Sequence, residues 1–496
     1  MSASRSIQLT LGSAGVLVAG GIGATLVAMV PLLDLKSLLE ILAAVGTLLL
    51  ALLSRRAKEV FLAAYILALT YNRQYFSFNG LFGDMGPHGI YWVPADPLLL
   101  LLFAVSSLEV ITGREQAARS TGLMAGGAAP VLPFLAVCLV SMLTARHPEW
   151  AVSDAIRVVK LALLMIWLHR NLTPRLWLTA VAALGAAIVM QSGLGVLQVL
   201  VHSGKNLLSV VGVGASAPDL GEEIENRARG TLGHPNFLAP YLLVLVPAAV
   251  GLALFSRNLQ LKLLGGAISL AGLAGIAASQ SRAPTALIAV AVVAMLLIAT
   301  RLRALSPATL LGGSVIGVTM IAALLLPYRD AIAKRIYGDL TASVEFREEY
   351  NAAALSMWNE HPLLGVGLNN FTVDLQRYSK RLAGMVRQLE QLQDQAAIRA
   401  AAPVHNVYLL ILAETGVLGL MAFLIFLAAV LRRGIRASVA TTGATRGICI
   451  GLTVGLLANF AQQTVDFSLW FDPSWYTLGL VAALLGAAPG VAPRLP

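Results

Sequence analysis

The sequence predicts an all-α protein that crosses a membrane about fourteen times, and three observations carry that expectation. Of its 496 residues, 57% are hydrophobic and only 12% are charged, more apolar surface than a soluble chain can bury. Apolar runs of roughly 17–25 residues, the length of a membrane-spanning helix, recur from one end to the other. Cationic residues gather at every second connection between those runs, as the positive-inside rule requires. A soluble α/β enzyme is excluded. The net charge of +10 does not point to nucleic acid, because its placement follows the membrane alternation.

In chain order the expected spans are 9–33, 37–53, 58–72, 96–112, 123–144, 152–168, 176–201, 236–256, 262–280, 284–300, 308–327, 405–431, 446–464 and 473–490. The first is expected to stay in the mature chain, since no small-residue cleavage site follows it and apolar spans continue. The third is short and the sixth contains Arg157 and Lys160, so the range is 12–14 spans, set against a span length of about 20 residues. Cys138 and Cys449 both fall in apolar runs and read as small buried hydrophobes. No CxxC or HExxH spacing marks a metal site.

Orientation follows from the cations. Arg55, Arg56 and Lys58 follow the second span, Arg114 and Arg119 the fourth, and Arg170 and Arg175 the sixth. Arg257 and Lys262 follow the eighth, Arg301 and Arg303 the tenth, and Arg432, Arg433, Arg436 and Arg446 the twelfth. These connections and both termini are expected in the cytoplasm. The opposite short loops are aromatic, as in Tyr71 to Trp92, a candidate interfacial belt. Five segments result: amino-terminal helices over 1–201, a first outer loop over 202–235, central helices over 236–327, a large outer loop over 328–404, and carboxy-terminal helices over 405–496. The large loop breaks the charge trend with Arg329, Lys334, Arg335, Arg347, Arg377, Lys380, Arg381, Arg387 and Arg399. It reads as a cationic surface for an anion, or as a solvated domain that escapes the orientation rule. Within it, 341–360 and 373–400 read as helices, the second with an apolar stripe suited to a membrane face.

With the amino terminus inside, even-numbered spans begin on the outer side, and three such starts carry cations. Arg227 and Arg229 in RARGTLGHPN precede the eighth span, which Pro235 or Asn236 opens. Arg282 in SQSRAP sits in a tight turn opening the tenth, with Pro284 in its first turn. His405 in APVHN opens the twelfth. A helix start offers unpaired N–H groups and partial positive charge. Cations placed there repeatedly suit an anion held among them; the alternative is that they snorkel to lipid phosphates. A histidine ordinarily titrates near neutrality, which makes His405 the candidate general base. Glu414 lies nine residues on, on the opposite helix face and about 13 Å deeper, so it reads as a buried, paired structural group. Gly416 and Gly419 suggest close helix packing. His361, before Pro362 in a loop turn, reads as structural. GVGLNN is no phosphate loop, since no Lys-Ser/Thr pair follows it. Few ionisable groups fall mid-span, which argues against a transporter.

One set of motifs adds a resemblance. Arg347, then HPLLGVGLNNF (His361 to Phe371), HNVYL (His405 to Leu409) and ETGVLG (Glu414 to Gly419) resemble the signature region of the O-antigen ligase and Wzy-type polysaccharide polymerase superfamily. RGTLGHPNFLAPYL and SQSRA resemble upstream segments of the same family, so the likeness covers roughly 180–480; the earlier spans resemble it in hydropathy alone. The resemblance implies a polytopic GT-C glycosyltransferase of a bacterial inner membrane with a periplasmic active site, needing neither metal nor nucleotide sugar and no other cofactor. Its donor would be an oligosaccharide on undecaprenyl pyrophosphate. Its acceptor would be the hydroxyl of another carrier-linked glycan, of lipid A-core, or of a protein. Membrane lipids and a chain-length regulator are the further partners implied. By the family pattern Arg282 and Arg347 would hold pyrophosphate and His405 would be the base, with Asn406 and Glu414 in support. Position adds Arg229 to the pyrophosphate set. GTLGHPN leans the expectation toward a polymerase over a ligase.

Overall fold

The computed structural model describes residues 56–71, 75–76, 91–112, 127–200, 227–304, 306, 341–382, 384 and 404–495. Among these residues there are thirteen α-helices: α1 (Ala57–Leu69), α2 (Ala95–Ile111), α3 (Leu132–Ser141), α4 (Pro148–Asn171), α5 (Pro174–Leu200), α6 (Pro235–Phe255), α7 (Leu259–Ser279), α8 (Arg282–Arg301), α9 (Thr341–Glu360), α10 (Phe371–Tyr378), α11 (Val407–Ala440), α12 (Gly443–Gln462) and α13 (Asp472–Val491). A two-residue antiparallel pair, β1 (Tyr75–Phe76) with β2 (Tyr91–Trp92), closes the aromatic segment before α2. Eleven of the expected spans coincide with helices; those at 9–33, 37–53 and 308–327 lie outside the described residues. Seven helices, α5 to α8 and α11 to α13, are long and apolar enough to cross a membrane by length and composition. The segment expected at 123–144 holds a helix of only 10 residues.

Local chemistry sets the helix ends. His234 caps α6, its Nδ1 accepting from Asn236 N at 3.1 Å, and Pro235 takes the first helical position. Asn258 caps α7 with bonds from Gln260 N at 2.8 Å and Leu261 N at 3.3 Å. The α7–α8 turn is only Gln280 and Ser281, with Gln280 in the left-handed region at φ 52°. Asn406 caps α11, its Oδ1 accepting from Tyr408 N at 3.0 Å and Leu409 N at 3.1 Å.

α6 lies at the centre, buried along most of its length. α12 packs on it through Gly447, Gly451 and Gly455, one residue per turn. A Cβ at these positions would run into the backbone of Gly251, Pro247 and Val244 respectively. Small residues at this spacing let two helix backbones touch and gain dispersion contact where lipid supplies no hydrophobic drive. The charges that weakened the sixth span are paired inside the bundle: Lys160 bonds Asp96 at 2.6 Å, and Arg157 bonds Asp472 at 2.7 Å and Asp154 at 3.0 Å.

The large loop is built onto α11. Gly416, at φ 66° and ψ −169°, breaks that helix, and the 361–371 segment supplies partners for the opened backbone. Val366 N donates to Ala413 O and Gly367 N to Glu414 O, both at 2.9 Å; Val417 N donates to Pro362 O at 2.9 Å. Gly416 therefore serves the break and its fit to Leu363, not the helix–helix packing expected of it. Glu414 is buried, as its depth in the helix predicts, and its Oε1 accepts from Phe371 N at 3.2 Å. Beneath the loop a second apolar cluster joins Tyr350, Met357, Val366, Phe371, Leu375 and Leu410. The helix expected over 341–360 is α9. The one expected over 373–400 begins as α10, is interrupted at Ser379 where the backbone becomes extended, and is helical again at 380–382 and 384. The stretch from 385 to 403 lies outside the described residues.

Candidate functional site

Four pieces of chain meet at one end of the bundle: segment 227–234, the α7–α8 turn, the start of α11, and the connection between α12 and α13. Arg227 welds the first two. Its Nε donates to Ser279 O at 2.9 Å, and its Nη2 to Asn236 Oδ1 at 3.1 Å and Ser281 Oγ at 3.2 Å. Ala228 N donates to Ala278 O at 3.0 Å. Gln198 at the end of α5 holds the next turn, its Oε1 accepting from Arg229 N at 3.0 Å and Gly230 N at 2.9 Å. On the opposite side Val407 N donates to the carbonyls of Gln463 and Asp466, each at 3.1 Å. Phe467 then meets the His405 ring edge-on at 5.5 Å. Phe237, 5.5 Å from His234, stacks on Phe471 at 4.0 Å.

The charges so gathered act on one another. Burial, with the Arg282 charge second, lowers Arg227 to about 10. His234 is pushed down to about 3 by burial, then by Arg227, His405 and Arg229. His405 is pushed down to about 4 by burial, then by Arg347. Both imidazoles are therefore neutral near pH 7, and a neutral imidazole nitrogen can accept a proton. Asp466 is pushed up to about 6 by burial, opposed first by its bond from Phe467 N. It feels the Arg347 charge as well, so Arg347 faces both His405 and Asp466. Arg282 and Arg347 are exposed, Arg229 and both histidines half-buried, and Arg227 buried. Guanidinium groups at the rim, helix starts behind them and a neutral histidine form a basin suited to a phosphate-rich anion.

Arg229, Arg282, Arg347 and His405, far apart in sequence, are thus brought to one place. Asn406 stands behind His405 as the cap of α11. Glu414 lies outside the group, bound to the loop backbone. Sequence reasoning left out three members. Arg227 is visible in the sequence as a cation but not as the weld between two helix starts; His234 hides in GHPN; Asp466 stands apart from every motif. A carboxylate just past the end of an apolar run, in QQTVDF, was the available signal for the last. Among the described residues no group of three or more His, Cys, Asp or Glu side chains could hold a metal ion.

Residues 267–424 match the family described as O-antigen ligase, so the likeness expected from the motifs holds over this stretch. It takes in Arg282, Arg347, the 361–371 segment, His405 and Glu414, and leaves out Arg229 and Asp466. No curated protein matches the chain.

Proposed function

We propose that this chain, with its O-antigen ligase stretch at 267–424, is a glycosyltransferase of surface-polysaccharide synthesis that moves an oligosaccharide from undecaprenyl pyrophosphate to an acceptor hydroxyl. The observation that carries the reading is a chain of charges at the helix starts: Arg347 acts on neutral His405, His405 and Arg229 act on His234, and Arg282 acts on Arg227 beside it. In this reading the acceptor O–H gives its proton to His405, and its oxygen forms a bond to the anomeric carbon of the donor glycan. The bond from that carbon to the pyrophosphate oxygen breaks, and the electron pair leaves with undecaprenyl pyrophosphate. Arg282, Arg347 and Arg229 hold that pyrophosphate and offset the charge it gains. Arginine suits the task because its planar fork pairs with phosphate oxygens and stays charged.

The reading places the basin on the periplasmic face of the inner membrane, with both termini cytoplasmic and about fourteen spans of some 20 residues each. In this reading the outer loop expected over 328–404 lies on the same side of the membrane as the basin. Polymerisation of repeat units is the form we favour, with a chain-length regulator as partner. The family description supports transfer to lipid A-core as the second form. The test is transfer in vitro from purified carrier-linked glycan. His405→Ala should fold and insert but lose ~10²–10⁴ in rate, as removal of a general base does; a variant keeping more than half the wild-type rate would remove His405 from the chemistry.

A further inference from the structure

Arg157 lies buried in α4, outside the cation basin, yet it grips the connection that supports the basin. Its Nε donates to Asp472 Oδ1 at 2.7 Å, its Nη1 to Asp154 Oδ1 at 3.0 Å, and its Nη2 to the Trp470 carbonyl oxygen. The guanidinium also lies 5.3 Å from the centre of the Trp470 ring. Asp154 Oδ2 accepts from Trp470 Nε1 at 3.0 Å. Trp470 is thus held at backbone and ring together. A few residues earlier the same connection carries Phe467, against the His405 ring at 5.5 Å, and the Asp466 carbonyl, bonded to Val407 N at 3.1 Å. Its Phe471 stacks on Phe237 at 4.0 Å, beside His234.

Stability alone does not call for this arrangement. Buried ion clusters are commonly no more stabilising than apolar side chains of the same volume, though breaking one by removing a single partner is costly. What the fork adds is geometry: one planar group with three bond directions fixes three acceptors at once. We propose that Arg157 is a positioning residue for His405. By fixing Trp470 and Asp472 it sets the 466–471 connection, on which the His405 ring and the first turn of α11 rest. The amino-terminal helices, outside the 267–424 match, thereby orient the base. The inference rests on the transferase reading for its catalytic meaning, and on contacts alone for the mechanical link.

Arg157→Lys tests it, because lysine keeps the charge but one ammonium cannot serve three acceptors in a plane. Two readouts are taken on the full-length protein in lipid or detergent. In glycan transfer kcat should fall ~10²-fold, the scale of a small misplacement of a reacting group. KM for the carrier-linked donor should stay within about twofold, since the pyrophosphate contacts are unchanged. Amide hydrogen exchange should accelerate over 404–410 as well as over 466–473. A purely structural Arg157 would move only the second stretch. A second variant, Asp154→Leu/Arg157→Met/Asp472→Leu, replaces the whole cluster by apolar groups that keep packing; it should fold yet stay impaired, and wild-type kcat there would overturn the proposal. Unchanged exchange over 404–410 in Arg157→Lys overturns it whether or not the protein transfers glycan. Faster exchange there with no transfer by the wild type would overturn the transferase reading and leave the link from Arg157 to His405 standing.

Discussion

At the scale of single residues, His405, Arg282 and Arg347 differ in what each must do. A base must be neutral to work, and His405 is held neutral by burial first and Arg347 second, down to about 4. Its activity should then be flat around neutrality and fall as pH drops through its folded-state value. The acid limb of kcat/KM reports the free protein, and that of kcat the donor complex. Bound pyrophosphate offsets the Arg347 charge, so the kcat limb should lie at higher pH than the kcat/KM limb; coincident limbs would speak against an anion between the two groups. Asp466 also titrates, at about 6, and Asp466→Asn separates the two, because a limb owed to His405 survives that change. Arg282 and Arg347 are assigned to the donor. Arg→Ala at either should weaken binding of undecaprenyl pyrophosphate, measured without acceptor, by roughly 1.5–3 kcal/mol, the scale of a charge-assisted bond. Arg→Lys should cost less, keeping charge but losing the fork. Carrier binding equal to wild type in both Ala variants would move these arginines to the acceptor side.

At the scale of elements, the break in α11 matters most. An unbroken helix from Val407 would leave the 361–371 segment without its backbone partners on either side of Gly416, the carbonyls of Ala413 and Glu414 and the amides of Val417 and Leu418. Gly416 sits at φ 66°, ψ −169°, a region essentially restricted to glycine. An added Cβ would also meet the Leu363 backbone. Gly416→Ala should therefore destabilise the protein by at least ~1–3 kcal/mol, read as a lowered Tm in detergent, and should loosen α9 and α10 more than α6 and α12. A variant with unchanged Tm would show that the break does not need glycine. The motif was legible in sequence as a string; that its two halves are one folded unit was not, because the bonds joining them run between backbone atoms some 50 residues apart, a pairing no local pattern records.

At the scale of the whole molecule, the expected sidedness can be tested at exposed positions at opposite ends of the bundle. Cysteine engineered at Arg377 or Lys380 should react with a membrane-impermeant reagent applied to cells opened only at the outer membrane. Cysteine at Gln260 or Ala440 should react only after the inner membrane is breached. All four positions are exposed in the structure, so failure to label is informative. Reaction of the second pair from outside would invert the topology and place the basin on the wrong face for a donor carried in the outer leaflet.

The sequence by itself determined the class of molecule and most of its helices, because a membrane demands long apolar runs with internally satisfied backbones, and composition and spacing display both. It also marked the cations at helix starts and His405, since charge in an apolar sequence stands out. Tertiary structure alone decided which of those groups meet. Arg227 could be counted in the sequence, but its place between Ser279, Ser281 and Asn236 depends on α6 and α7 packing side by side. Asp466 gains its raised pKa from burial beside the start of α11. Arg157 and Lys160, which counted against their helix as a span, find carboxylates on α13, α2 and their own helix. The cost or benefit of a charge in a low-dielectric interior is set by its neighbours in space, and those neighbours are fixed only when the helices pack.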